Sequence, residues 1–254
     1  MPLYYRFVGI DLAVDTVPDE TTTCKFRHLL ERHQLADIFL ADINAELSAR
    51  GLLLKKGTVV DATLIATPPS TKNKERKRDP KMSSTKKGNQ WYFGMKAHIG
   101  ADVDSGLVHS LSFTKAKVPD NKVLDDLLHG EEEAAHGDKA YTSNQHNLLA
   151  TDPEKGPIWC MPFEKPSGGE LPEWKQEINQ HLSSLRAVVE FSFRIVKRQF
   201  RFTKVRYRGL FKNGQALTTK FALANLYTVR HHRDVRARST HQAAILTSRR
   251  VRIC

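Results

Sequence analysis

The chain has 254 residues, of which 40% are hydrophobic and 27% charged, a composition typical of globular proteins and not of disordered or fibrous ones. No apolar run reaches the roughly 20 residues of a membrane span and no secretory leader is evident, so we expect a soluble intracellular protein. Lysine and arginine total 40 against 28 acidic residues, and a net charge of +12 favours a polyanionic partner, with nucleic acid first and a merely basic surface as the alternative.

The first part of the chain is predicted to be helical. Apolar residues recur at helical spacing over residues 20–33 and again over residues 36–50, and Gly51 ends the second helix. The β-branched run at residues 57–65 is too short for a helix and indicates a buried strand.

A polar segment and a hairpin are predicted next. Residues 67–89 hold three prolines and eight basic residues, which favours a loop. Apolar and polar residues alternate strictly over 91–99, and a turn at 104–106 returns the chain through 107–113, which predicts a β-hairpin. Helical spacing follows over 120–129, and residues 134–138 read as a short strand.

The strongest periodicity lies between residues 171 and 200. Apolar residues there step by three and four throughout, which predicts one long amphipathic helix. A basic, strand-like stretch at 202–208 and a helix at 214–229 follow. We expect residues 233–254 to form a poorly ordered basic tail.

Three carboxylates stand out by their context. Asp61 interrupts a buried strand, where a charge needs a partner or a cation, although bonding to backbone amides is an equal alternative. Asp138 follows Gly137 at a strand end, where a turn is the simpler interpretation. On the long helix, Arg186 and Glu190 lie at about 60° and 100° from the centre of the apolar stripe, a spacing that also fits an exposed ion pair.

The order of these acids is more informative than any one of them. The predicted order is that of an RNase H-like fold. It consists of an Asp in an early strand, a hairpin, a helix, a second Asp after a later strand and a Glu on a long helix. We therefore predict an α/β, RNase H-like catalytic domain with a mixed sheet flanked by helices. Three carboxylates at one sheet edge can hold two divalent cations for attack on a phosphodiester, and oxygen ligands suit Mg²⁺, with Mn²⁺ as the substitute.

The sequence also resembles the DDE transposases of bacterial insertion sequences, of the IS-five group within the IS-four-like transposases. The resemblance runs from about residue 7 to residue 231. Its closing signature, Tyr-x2-Arg-x3-Glu-x6-Lys, falls on Arg186, Glu190 and Lys197, with Ser183 in place of the tyrosine. The other matching segments are 17–22, 26–28, 60–63, 70–74, 86–96 and 137–141.

This resemblance implies catalytic and metal-binding roles for Asp61, Asp138 and Glu190, with Arg186 and Lys197 near the scissile phosphate. It also implies DNA partners, namely the ends of the element and its target, and a homo-oligomer assembled on DNA. The basic segments independently predict phosphate contacts. Those basic residues are Lys72, Lys74, Arg76, Lys77, Lys86, Lys87, Lys204, Arg206 and Arg208.

Relatives carry a longer helical region before the segment at residues 8–12, so we expect a chain truncated at its N-terminus. The predicted division is a helical N-terminal remnant at 1–55, an RNase H-like domain at 56–232 and the tail at 233–254. Two alternatives to a transposase stay open. One is a catalytically inactive DNA-binding remnant, and the other is a hydrolytic nuclease of the same fold.

Overall fold

The computed structural model describes residues 9, 11, 14–17, 19–68, 77–142 and 156–230. Its first helices are α1 (Glu20–Arg32) and α2 (Leu35–Ala49). Helix α1 begins after Asp19 because the carboxylate of that residue accepts the backbone N–H of Thr22 at 2.7 Å and so caps the helix. Both helices lie within two residues of the predicted spans.

A mixed sheet forms the centre of the described part of the chain. Its strands are β1 (Gly57–Ala66), β2 (Ser83–Lys87), β3 (Gln90–Asp102), β4 (Val108–Lys115), β5 (Ala134–His136) and β6 (Ile158–Cys160). Strand β1 pairs antiparallel with β3 and parallel with β5, and β6 extends the parallel side. Strand β3 has β1 along one side. Strands β2 and β4 lie along its other side, where β2 pairs with residues up to Gly94 and β4 pairs with residues from Met95 onward.

Two helices cover one face of the sheet. Helix α3 (Glu173–Arg194) continues into a π-helical turn at Ile195–Gln199, and α4 (Leu210–Val229) follows. The main core lies between these helices and the sheet, and it contains Val59, Ile99, Val189, Phe193 and Phe221 among its buried side chains. The alternation of β1 turns Val60 to the opposite face, where a second core forms.

The second core is closed by short 3₁₀ helices at Asp120–Val123, Asp125–Leu127 and Lys139–Tyr141. Leu124, Leu127 and Tyr141 are fully buried there against Val60 and Met161. The regular helix predicted at 120–129 is therefore wrong. The apolar residues of this segment span little more than one helical turn, and such a short stretch forms a regular helix only when packing favours it.

A polar cluster joins the N-terminal helices to the sheet. Asn44 of α2 and Asn225 of α4 both donate a side-chain N–H to the Val108 carbonyl, at 3.0 and 2.8 Å. Asn225 also donates to the side-chain oxygen of Asn44 at 2.9 Å and accepts the Val108 N–H at 2.9 Å. We call Asn44, Asn225 and the Val108 backbone the asparagine cluster. It fixes α2 and α4 against the start of β4.

Two further sequence predictions need correction. The loop predicted at 67–89 contains strand β2, whose residues pair with β3. The strand predicted at 202–208 is reduced to one bridge between Ala66 and Lys204. The predicted tail at 233–254 lies outside the described residues.

Candidate active site

Asp61 lies within β1, and Asp138 lies two residues after the end of β5, the parallel strand beside it. Val59 of β1 is in register with His136 of β5, and each acid follows two residues later. Burial raises the pKa of Asp61, and the charge of Asp138 raises it further, while the Ala62 N–H and Arg186 lower it. The structure thus brings these two carboxylates within electrostatic range at one edge of the sheet.

Each of these acids also makes a local hydrogen bond. Asp61 Oδ1 accepts the N–H of Ala62 at 2.8 Å. Asp138 Oδ1 accepts the N–H of Ala140 at 2.8 Å and caps the 3₁₀ helix at Lys139–Tyr141. The local bonding considered for each acid from the sequence is therefore present. It engages one oxygen of each carboxylate.

Arg186 approaches Asp138 from helix α3. Its Nη2 lies 3.9 Å from Asp138 Oδ2, with both side chains partly exposed. The ion pair considered from the sequence, between Arg186 and Glu190, is not formed, because the guanidinium turns toward the sheet. Arg186 Nε is buried without a hydrogen-bond partner among the described residues. A donor in that state can serve an incoming anion.

Lys197 reaches the same face of the sheet from the π-helical turn. Its Nζ donates to Thr63 Oγ1 at 2.5 Å, two residues beyond Asp61 on β1. Burial lowers the pKa of Lys197, and the charge of Lys87 lowers it further, whereas Asp61 raises it. The π-helical turn widens the end of the helix where this side chain leaves it.

Glu190 lies one helical turn after Arg186, and its side chain is exposed. It borders a groove of about 520 Å³ that Lys197, Arg194 and Arg198 also line. Among the residues that the structure describes, no three carboxylate, histidine or cysteine side chains form a ready metal cluster. The structure therefore brings together Asp61, Asp138, Arg186 and Lys197, and it places Glu190 on the adjoining helix without bringing it to the other acids.

Two residues near this edge were missed from the sequence. Asp120 accepts from Lys96 Nζ at 2.7 Å on the opposite face of the sheet, and its charge also raises the pKa of Asp61. The Tyr141 hydroxyl is buried with no hydrogen-bond partner among the described residues. Burial and the charges of Asp120, Asp61 and Asp138 raise its pKa, so it stays protonated. The sequence signal for Asp120 was Lys96, a charged residue among the alternating apolar residues of β3 that needs an acidic partner.

The predicted phosphate contacts divide into two groups. Six of them are described, and all are exposed: Lys77, Lys86, Lys87, Lys204, Arg206 and Arg208. The other three, Lys72, Lys74 and Arg76, lie outside the described residues. Arg206 also donates to the Arg201 carbonyl at 2.8 Å, so part of its hydrogen-bonding capacity is used within the chain.

The described part of the chain is thus a mixed α/β domain in which Arg186 and Lys197 lie beside two neighbouring acids. Residues 53–226 match the family model described as Transposase DDE domain, and the chain belongs to this family. Its members act on DNA in transposition. No solved structure matches the chain. None of the helices in the described ranges has the length and apolar character to cross a membrane.

Proposed function

We propose that the chain is the transposase of a bacterial insertion sequence of the IS-five group, and that an RNase H-like domain in it cleaves and joins DNA strands. The observation that carries this proposal is the alignment of Asp61, within β1, with Asp138, two residues after the adjacent parallel strand β5, and the position of Arg186 at 3.9 Å from the second acid. Membership of the transposase family supports the same reaction.

The donor set fits a divalent cation. Asp61 and Asp138 each keep one carboxylate oxygen, Oδ2, that accepts no local N–H, and hard cations prefer carboxylate oxygens. Magnesium is commonly held by one or two carboxylates together with water and substrate phosphates, so a closed cluster of protein ligands is not required. Asp61 and Asp138 would hold the ions, Mg²⁺ or Mn²⁺, which supply charge neutralisation at the reacting phosphate, and Glu190 is the third ligand that the family resemblance implies.

The proposed reaction has two steps, hydrolysis of one phosphodiester bond and then the exchange of a second phosphodiester bond for a new one. Water attacks the phosphorus at the end of the element, the bond to the 3′-oxygen breaks, and that oxygen leaves as a hydroxyl. The new 3′-hydroxyl then attacks a target phosphodiester and displaces the 3′-oxygen of the target strand. No protein nucleophile is needed, because water attacks in the first step and the 3′-hydroxyl in the second. No nucleotide cofactor is needed, because the joining step forms one phosphodiester bond as it breaks another.

Two cations of the chain would orient the substrate. Arg186 can offer a planar guanidinium to the non-bridging oxygens of the scissile phosphate, since Nε has no partner within the described residues. Lys197, held by Thr63, places a compact charge next to Asp61. The exposed lysines and arginines would contact neighbouring phosphates, which gives weak sequence preference and strong salt dependence.

A plasmid-nicking assay tests the proposal. The purified chain should nick supercoiled DNA only when Mg²⁺ or Mn²⁺ is present, and Asp138→Asn should reduce the rate by about 10³-fold, because several kcal/mol of transition-state stabilisation depend on the metal ligand. The matched control is Asp125→Asn, an exposed aspartate on a 3₁₀ helix. Equal rates for the two variants would contradict the assignment of Asp138.

A strand-transfer assay with a pre-cleaved end separates a transposase from a nuclease of the same fold. Joined products support the transposase, whereas hydrolysis alone supports the nuclease.

A DNA-binding protein without catalytic activity is the second candidate. The observation that favours it is the exposed side chain of Glu190, which makes no side-chain hydrogen bond or ion pair within the described ranges. DNA binding with no nicking by the folded protein would support this candidate.

A further inference from the structure

Trp91 is the most exposed aromatic residue among the exposed hydrophobic side chains of the described chain, at 69%. It lies at the start of β3, directly after the turn of the β2–β3 hairpin, where Gly88 has a φ of 59°. An exposed indole forgoes the stabilisation that a buried aromatic ring gains, and large aromatic rings are enriched at binding surfaces. The position therefore needs an explanation.

The hairpin projects beyond the neighbouring strand. Pairing of β1 with β3 ends at Ala66 and Gly94, so the residues of β3 before Gly94 extend past β1. Alternation places Trp91 on the same face of the sheet as Phe93 and Ile99, and Ile99 is the register partner of Asp61. Eight residues of extended strand separate Trp91 from Ile99, which is about 26 Å, or seven to eight nucleotide steps.

Basic side chains surround the exposed ring. Lys86 is the register partner of Trp91 across the hairpin, so their side chains lie on the same face, with Cβ atoms about 5 Å apart. The Arg78 guanidinium lies 5.0 Å from the centroid of the Phe93 ring, one alternation further along β3. Lys87 is close enough to act on the charge of Lys197, which links the hairpin to the candidate active site.

We propose that Trp91 is a base-stacking site, on which an unpaired or unstacked base of the bound DNA rests while Lys86, on the same face of the hairpin, contacts a flanking phosphate. The occupant is nucleic acid because Lys86 lies beside the ring and the Arg78 guanidinium lies over the neighbouring Phe93 ring. These two cations would repel most basic partners, and an apolar protein interface excludes lysine from its centre. This inference rests on the proposed function, since DNA cleavage and joining leave bases near the cut without a stacking neighbour.

The test compares two DNA probes. One is a fully paired duplex, and the other is the same duplex with a single bulged 2-aminopurine, both bound without divalent cations so that no cleavage occurs. Trp91→Ala should weaken binding to the bulged duplex by about tenfold or more, and Trp91→Phe by less, because stacking on a ring is worth 1–3 kcal/mol per base. Binding to the paired duplex should change less than about twofold.

The matched control is Trp174→Ala. Trp174 is 51% exposed, contacts Lys175 and lies at the start of α3 and not on the hairpin. It should leave both affinities unchanged. Thermal melting of each variant verifies folding, and the exposure of both rings predicts little change.

Several results would overturn the stacking site. An equal loss on both probes would make Trp91 a general contact, and no loss on either would remove it from the DNA interface. Reduced self-association of Trp91→Ala, with unchanged DNA binding, would assign the ring to a protein interface. Plasmid nicking is measured separately. Nicking without a difference between the two probes would contradict the stacking site alone, and a difference between the probes without nicking would contradict the proposed catalysis alone.

Discussion

The asparagine cluster and the edge that carries Asp61 and Asp138 both place polar groups inside the fold, but they differ in how those groups are satisfied. In the asparagine cluster, four hydrogen bonds of 2.8 to 3.0 Å connect two side chains and one backbone unit. At the acid edge, which we define as Asp61, Asp138, Arg186 and Tyr141, a hydroxyl and a guanidinium nitrogen are buried without partners in the described residues.

This difference teaches which polar groups stabilise the fold and which are available to a ligand. A completed network contributes stability because each buried donor and acceptor keeps its bonds. An incomplete one costs stability until a ligand or water completes it. Substitutions at the two regions should therefore have opposite consequences for stability and for DNA cleavage.

The largest expected effect is on catalysis at the acid edge. Asp61→Asn should lower metal-dependent nicking by about 10³-fold, because the amide is a poor ligand for a hard cation. The melting temperature should stay the same or rise, since Asn retains the acceptor for Ala62 while it removes a charge that burial disfavours. Nicking and thermal unfolding of one preparation check both parts. A variant that melts much lower would make Asp61 structural.

The next largest effect is on stability at the asparagine cluster. Asn225→Ala removes three hydrogen bonds and leaves the Val108 N–H buried, which should lower the free energy of unfolding by about 3 kcal/mol. Asn121→Ala, at an exposed position, is the control for the same chemical change. Urea unfolding measures both variants. Nicking per folded molecule should be unchanged, and a catalytic loss at constant stability would contradict the comparison.

Acid should lower the free energy of unfolding through His109, which follows Val108 of the asparagine cluster on β4. Burial lowers the pKa of His109 to about 4, and the charges of His129 and Lys55 act in the same direction against Glu132. Below its unfolded-state pKa of 6.5, the unfolded chain binds the proton that the folded chain excludes. Stability should therefore fall by about 1.5 kcal/mol between pH 6.5 and pH 5 from this residue alone.

The matched variant for this pH dependence is His109→Gln, which retains a polar side chain next to Thr58 but does not titrate in this range. Its unfolding free energy should vary less steeply than that of the wild type between pH 6.5 and pH 5. Parallel pH profiles for the two proteins would exclude His109 as the source.

The smallest effect is expected at Tyr141. Tyr141→Phe removes a buried hydroxyl that lacks a partner and keeps the ring that packs with Leu124 and Leu127, so stability should rise by about 1 kcal/mol. Thermal unfolding measures this, with Tyr92→Phe as the control, because the Tyr92 hydroxyl already donates to Gln90 at 2.7 Å. A loss of stability in Tyr141→Phe would mean that the hydroxyl already has a hydrogen-bond partner, and the acid edge would then have no unpaired hydroxyl to offer a ligand.

Much of the fold could be predicted from the sequence where one face of an element is buried. The alternation in β3 and the long stripe of α3 predicted a hairpin and a helix that the structure contains. Strand β2 was missed because its sequence, Ser-Ser-Thr-Lys-Lys, pairs at a sheet edge and buries no apolar face. Strand β6 has three residues, too few to show any period.

The candidate site was predictable in part. Asp61 and Asp138 could be proposed because a charge in a buried strand and an acid at a strand end are both visible in the sequence. The direction of the Arg186 side chain could not, since helical spacing allows Glu190 and Asp138 equally, and only the position of α3 over the sheet decides between them. Asp120 depends on pairing between distant segments, which no local pattern reveals.

The π-helical turn at Ile195–Gln199 makes the position of Lys197 sensitive to the number of residues in the turn, whereas residues before the turn are not affected by that number. Such a turn holds one residue more than an α-helical turn, so loss of a single residue before Lys197 would rewind the helix and swing that lysine by about 100° from Thr63. Glu190 and Arg186 precede the turn and would keep their orientation. Among natural variants, single-residue insertions and deletions should therefore be purged from this turn.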